Sequence, residues 1–170
     1  MVKDTGWKRF LSDDARYADV INGVACKGEQ VVNKEDLQEM DTQTGMFRGP
    51  RFIHKWTQSR KGNVKVRDCL RKVAFGTNFA IIGIENQETM DYSIPLRNMA
   101  YDVDAYERQA TKIRKETRKK HKGLSAGEYL YGFKKDDKLL PAVTVILYSG
   151  SKSWDGPKTL HEILDFTDIP

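Results

Sequence analysis

Two segments, Val64 to Phe75 and the apolar run Phe79 to Ile84, are separated only by Gly76-Thr77-Asn78, and this pattern limits the fold more than any other in the chain. Together they are rich in Val, Phe and Ile, and the break is made of turn formers, so they predict a β-hairpin. The second run, Ala80-Ile81-Ile82-Gly83-Ile84, is apolar on both faces. A strand of that kind belongs in the middle of a sheet with cover on both sides, because an edge or half-wet strand would alternate with polar residues. Pro141 opens a further strand, Ala142 to Tyr148, after an intervening helical stretch. Strands interspersed with helices around a central hairpin predict an α/β domain built on one mixed sheet flanked by helices.

The helical stretches have their own signals. Ser12 followed by Asp13 and Asp14 predicts an N-cap with acids in the first turn, and a helix to about Cys26 carries Tyr17, Val20, Ile21 and Val24 on one face. Lys27-Gly28 supplies the stop. From Gly28 to Gly49 the chain is polar and reads as loop, with one helical turn around Glu35 to Met40. Arg51 to Ser59 is open between a short helix and an extended piece. Pro95 suits a first helical turn, and the helix after it, with Leu96, Met99, Val103 and Tyr106, runs to about Lys120. A shorter helix spans Ser125 to Tyr131, before the charged loop Lys134 to Lys138. No internal repeat or low-complexity linker divides the 170 residues, so a single domain, 1–170, is expected.

Composition removes several classes of protein. With 39% hydrophobic and 31% charged residues the chain is neither disordered nor membrane-embedded in character. The start, Met1 to Phe10, lacks an apolar signal region, and the runs around Ile81 and Val145 are far too short to span a bilayer. Cys26 and Cys69 form no CxxC pair, which argues against zinc and a disulfide framework and for reduced thiols in the cytoplasm. His54, His121 and His161 are scattered without metal-ligand spacing. A net charge of +5 permits a polyanionic partner without requiring one.

Chemistry is suggested by acids at the hairpin ends. Asp68 precedes the turn, and Glu85-Asn86-Gln87 closes the second apolar run. Carboxylates on neighbouring strand ends suit Mg²⁺, a hard cation that takes oxygen ligands and is usually held by one or two carboxylates together with substrate phosphates. Gln87 has no useful basicity and serves only to orient water or a phosphate. Register decides whether these side chains meet. If Gly76 pairs with Phe79, Asp68 lies opposite Gln87 and near Glu85 on one face; if Phe75 pairs with Phe79, Asp68 opposes Asn86 and the group is split. The alternative is a hairpin whose terminal acids are simply solvated.

The stretch Ile81-Ile82-Gly83-Ile84-Glu85-Asn86-Gln87, with Asp68 before it and Ile94-Pro95-Leu96-Arg97-Asn98-Met99-Ala100-Tyr101 after it, resembles the Rpn family of recombination-promoting nucleases and transposases, within the PD-(D/E)XK nuclease superfamily. The opening Phe10-Leu11-Ser12-Asp13 through Asn22-Gly23-Val24 and the late Leu147-Tyr148-Ser149-Gly150, Trp154-Asp155-Gly156-Pro157 and Leu160 extend the likeness over nearly the whole chain. The resemblance implies a PD-(D/E)XK (restriction-endonuclease-like) core of helices and twisted mixed sheet, hydrolysis of DNA with Mg²⁺ on Asp68 and Glu85, and a link to recombination or mobile elements. Gln87 stands where the wider superfamily usually has lysine, a replacement this family tends to show, which implies weak activity. Members are commonly longer than this chain, so a truncated member or excised domain is expected, with a homodimer as one form of assembly. Asp19 is the nearest first-helix acid, but it falls about 150° from the apolar face at 3.6 residues per turn and is left out of the site.

Arg97 and Tyr101, four residues apart, could support the acids, touch phosphate or serve packing. The run Arg108 to Lys122 carries Arg114, Lys115, Arg118 and Lys119, which suit sequence-independent phosphate contacts or a solvated helix end favoured by the dipole. Trp154-Asp155-Gly156-Pro157 reads as a tight turn with Trp154 as a packing anchor. The leading expectation is a Mg²⁺-dependent DNA endonuclease. The others are a catalytically weak or inactive nuclease-fold domain for DNA binding or assembly, and a protein-interaction module.

Overall fold

The computed structural model describes residues 2–40, 69–119 and 123–167, with side chains from Gly6 onward. Four strands form one mixed sheet in the order β1 (Leu37–Glu39), β2 (Cys69–Phe75), β3 (Asn78–Gln87), β4 (Ala142–Tyr148). The first three are antiparallel neighbours, and β4 runs parallel to β3. The α/β expectation is met. β3 is central, as its two apolar faces require, and helices cover the sheet on both sides.

On one face lie α1 (Val2–Leu11) and α2 (Asp14–Ala25). Leu11, Tyr17, Ala18 and Ile21 meet Cys69, Val73, Ile82, Ile84 and Val145 in the larger core cluster. Val24, expected on the buried face, is 57% exposed; Ala18 and Asn22 are buried instead. Asn22 spends its amide on the loop after the helix: its Oδ1 accepts from Val31 and Val32 N–H, and its Nδ2 donates to the Val32 carbonyl. Tyr17 donates its buried hydroxyl to the Ile82 carbonyl at 2.6 Å, tying α2 to the central strand. Tyr17→Phe leaves that carbonyl short of a partner and is expected to cost about 1–3 kcal/mol, read as a lower urea midpoint with the slope unchanged. An unshifted midpoint would mean that the hydroxyl contributes nothing.

Two features at the N-terminal end differ from expectation. Residues Val2 to Leu11 form a helix where only a featureless start was read, and it buries Leu11 alone among its described side chains. The cap of α2 is Asp13, whose carboxylate accepts from Arg16 N–H at 3.1 Å; Ser12 instead donates to the Arg9 carbonyl that closes α1. The polar stretch after Gly28, read as loop with one helical turn around Glu35 to Met40, has its helical turn at Lys34–Asp36 as 3₁₀, and Leu37–Glu39 is instead the short strand β1. Arg71, only 4% exposed, fastens this corner by reaching Asp14 at 3.1 Å and Glu39 at 3.7 Å.

The other face is covered by α3 (Ile94–Lys119), and its expected limit, Lys120, lies outside the described residues. Only its front half is apolar, so hydrogen bonds fasten much of it. Gln109 both donates to and accepts from the Leu140 backbone, Tyr106 accepts from Ala142 N–H, and Asp102 accepts from Thr144. Ala105 meets Leu70, Ile81 and Ala142 in the second cluster.

The short helix α4 (Ala126–Tyr131) is capped as its sequence suggests, with Ser125 and Glu128 bonded reciprocally and Gly132 left-handed at φ +66°. Hydrogen bonds from Ser125 N–H and hydroxyl and from Lys135 N–H hold the Glu128 carboxyl below its ordinary value. A carboxyl with a lowered folded pKa stabilises the folded state above its unfolded pKa and loses that contribution as pH falls through the folded one. Acidification through that window is therefore expected to lower the protection factors, exchange rates corrected for their intrinsic pH dependence, of the Tyr129 and Gly132 N–H groups that close α4, and Glu128→Gln is expected to remove that change. Protection factors that ignore pH in the parent would contradict the cap's role.

Candidate functional site

Glu85 and Gln87 sit at the C-terminal end of β3, two residues apart and so on one face, which is the face of α3. Both are buried, at 6% exposure each. The solvated-acid alternative therefore does not apply to Glu85. Its partner is Arg97, in the first turn of α3, whose Nη2 lies 3.0 Å from Glu85 Oε1 and donates to Gln87 Oε1 at 2.8 Å. Arg97 Nη1 donates to Asp91 Oδ2 at 3.0 Å. Gln87 Nε2 donates to the Thr89 carbonyl at 2.6 Å, which fixes the amide so that its oxygen faces the guanidinium.

The loop after β3 is shaped for this purpose. Asp91 accepts from Ser93 N–H and hydroxyl just before α3 begins, and its carboxylate suits the positive end of the helix. Asn86, pointing to the opposite face, accepts from Ser149 at 3.0 Å, while Ser149 N–H donates to the Gln87 carbonyl. The ends of β3 and β4 are thus joined side by side, at the C-terminal edge of parallel strands where open α/β sheets commonly bind ligands.

The segment after β4 borders the same loop. Trp154 packs edge-on against Tyr148 at 5.2 Å between ring centroids and donates to the Gly156 carbonyl at 2.7 Å, so it is the packing anchor its sequence suggests. A β-carbon at Gly156 would press on the Tyr92 ring, and one at Gly150 would overlap the Tyr148 ring. Tyr92 shares a 3.3 Å hydrogen bond with Asp155, whose negative charge pushes the phenol above its ordinary value.

The hairpin register differs from both sequence alternatives. Phe75 pairs with Asn78 across the two-residue turn Gly76-Thr77, and the described ladder runs to Cys69 opposite Ile84. Gly76 has φ +62°, which a side chain would strain and which suits the first central position of a type II′ turn. Asp68 lies outside the described residues, as do Arg51 to Ser59, Lys120, His54 and His121. Asp19 is exposed on α2, away from the site, and His161 stacks on Phe166.

The basic residues sit at the far end of α3. Arg114 is engaged by Glu107 at 3.0 Å and packs beside Gly132, whereas Lys115, Arg118 and Lys119 are exposed. At 1.5 Å per residue, Arg118 is roughly 32 Å along the helix from Arg97, so the two regions do not form one site.

Oxygen donors at Glu85 fit a hard cation by type. Among the described residues, no three His, Cys, Asp or Glu side chains group as a metal site, and no helix is long and apolar enough to cross a membrane. Asp91 and the acceptor role of Gln87 towards Arg97 are the parts that sequence reading missed. Asp91 lies in the polar loop that leads to Pro95, and nothing in its spacing points to residue 97. Compared with known proteins, the chain matches no family model, no curated protein and no solved structure at a significant level.

Proposed function

We propose that this chain is a Mg²⁺-dependent DNA endonuclease with a PD-(D/E)XK-like core, acting in recombination or with mobile elements, in which Asp68 and Glu85 hold the cation. The carrying observation is the buried Glu85 carboxylate at the C-terminal end of the central strand, beside Gln87 and the Arg97 guanidinium. Bound there, Mg²⁺ supplies Lewis acidity and makes a water more acidic. The chain's residues position the reactants: Glu85 is fixed by Arg97, and Arg97 by Gln87 and Asp91. Gln87 moves no proton, having both ends of its amide committed. The exposed Lys115, Arg118 and Lys119 give DNA phosphates a second contact about one B-form turn from the site.

A second reading has its own observation. Arg97 already occupies Glu85 Oε1 at 3.0 Å, which suits a nuclease-fold domain that binds or assembles on DNA without cutting it. Incubation of the chain with supercoiled plasmid in Mg²⁺, beside DNA binding measured in EDTA, separates the two. Cleavage that starts with Mg²⁺ and stops with EDTA supports the endonuclease. Binding that persists in EDTA, with no cleavage and no heat of Mg²⁺ binding, supports the second reading.

A further inference from the structure

The short helix α4 meets the rest of the fold along one side. Gly132, at its end, packs so closely on α3 that a β-carbon there would lie 3.3 Å from the Arg114 Cβ. Away from that contact, Tyr129, Leu130 and Tyr131 are 60%, 67% and 70% exposed. Consecutive helical residues step round the axis by about 100°, so Leu130 forms a crest with one tyrosine on either flank. Large side chains left this exposed, and grouped together, mark an interaction surface. Charge says what covers it. In sequence, residues 112–138 hold ten Lys or Arg and four Asp or Glu, a net +6 that exceeds the +5 of the whole chain. The rest of the molecule is thus close to neutral. Lys115, Arg118 and Lys119 are exposed, and Arg118 lies one turn, about 6 Å, beyond the residue on which α4 packs. An apolar protein surface laid here would have to strip water from those cations. A polyanion with flat apolar faces suits both features.

From this juxtaposition we infer that α4 and the end of α3 bind an unpaired stretch of DNA, with bases stacked on Tyr129 and Tyr131 and phosphates on Lys115, Arg118 and Lys119. Every base has a π face, so such stacking tolerates any sequence, and aromatic rings beside a basic surface are the usual means of holding a single strand. In a duplex the base faces are already stacked on one another. The tyrosines therefore distinguish unpaired from paired DNA, which charge alone does not. This region is roughly 32 Å along α3 from Arg97, so the strand held here lies outside the candidate cation site. Under the endonuclease reading, the preferred substrate is DNA with an unpaired tail or bubble about one helical turn from the cut. That consequence rests on the endonuclease reading, whereas the binding itself does not.

The test uses the full chain in EDTA, with the fluorescence anisotropy of labelled oligothymidylate and of a blunt duplex of equal length. The parent is expected to bind the single strand more tightly. Tyr129→Ser with Tyr131→Ser is expected to weaken that binding about tenfold or more, while duplex binding and the salt dependence stay as they were, because no phosphate contact is lost. Tyr129→Phe with Tyr131→Phe keeps both rings and is expected to bind like the parent. Replacing Lys115, Arg118 and Lys119 together by Gln is expected to flatten the salt dependence for the single strand by about two in double-logarithmic slope. Irradiation of the parent with a bromodeoxyuridine oligonucleotide is expected to cross-link the peptide holding Tyr129 and Tyr131, a readout that no misfolded variant obscures. A serine variant that binds single strands like the parent, a cross-link only elsewhere, or a parent that prefers duplex overturns the inference. So does self-association of the parent that the serine variant abolishes, which makes a second copy the occupant. A parent that cuts plasmid with Mg²⁺ but ignores oligothymidylate loses this inference alone. One that binds the single strand through the tyrosines without ever cutting loses only the endonuclease reading.

Discussion

Glu85→Gln is expected to abolish Mg²⁺-dependent DNA cleavage while leaving the protein folded. Glutamine keeps the shape of the side chain and an oxygen for Arg97 Nη2, and the guanidinium retains Asp91 as a counter-charge. What disappears is the negative charge at the end of β3. Loss of a cation's Lewis acidity is worth several kcal/mol. At about 4 kcal/mol the cleavage rate falls roughly a thousandfold. Glu85→Ala is a poorer test, because removing one partner of a buried ion pair costs on the order of 3–5 kcal/mol of stability and confuses unfolding with lost chemistry. Cleavage rates on linear and supercoiled DNA, read beside thermal unfolding, give the result. A Glu85→Gln variant that cuts like the parent would remove Glu85 from the site.

The largest effect on stability is expected one residue earlier. Ile84 is fully buried, lies opposite Cys69 in the hairpin and packs in the cluster that joins α1 and α2 to the sheet. Ile84→Ala removes three carbons from the densest part of the core, and the cavity left behind is expected to bring the cost to about 2–5 kcal/mol. Against a domain stability of order 5–15 kcal/mol that is a large share. Phe79, on the same strand, is 41% exposed and makes its nearest polar contact with the Lys72 ammonium 4.0 Å over its ring. Phe79→Ala is therefore the control, with a loss well below that of Ile84→Ala. Urea unfolding with equal slopes for both variants checks the comparison. Equal losses at the two positions would mean that the helices do not seal this face of β3.

These two positions also show what the sequence made legible. The double-sided apolar pattern of Ala80 to Ile84 placed β3 at the centre, and Ser125 with Glu128 marked the cap of α4, because both signals come from local chemistry that does not depend on distant partners. β1 was missed because Leu37–Glu39 is short and mostly exposed, so it carries no alternation. The helix Val2–Leu11 was missed for a related reason: it places Leu11 in the core but shows no apolar stripe. The register escaped because Gly76-Thr77-Asn78 admits turns that differ by a single residue, and the choice rests on a glycine φ that composition does not reveal. At the site, Glu85 and Gln87 were legible as a strand end. Support of the acids by Arg97 was one of three roles left open for it, because the side chains meet only when β3 and α3 pack, and Asp91 joins them through a loop whose spacing gives no sign of it.

The most direct measurement is the anomalous diffraction of Mn²⁺ in crystals of the full chain soaked with that ion as a stand-in for Mg²⁺. The expected result is a peak with Glu85 and Asp68 carboxylate oxygens as ligands at the distances of a hard octahedral cation, about 2.1 Å. A well-ordered end of β3 with no peak beside Glu85, or a peak bound only by other residues, would contradict the assignment.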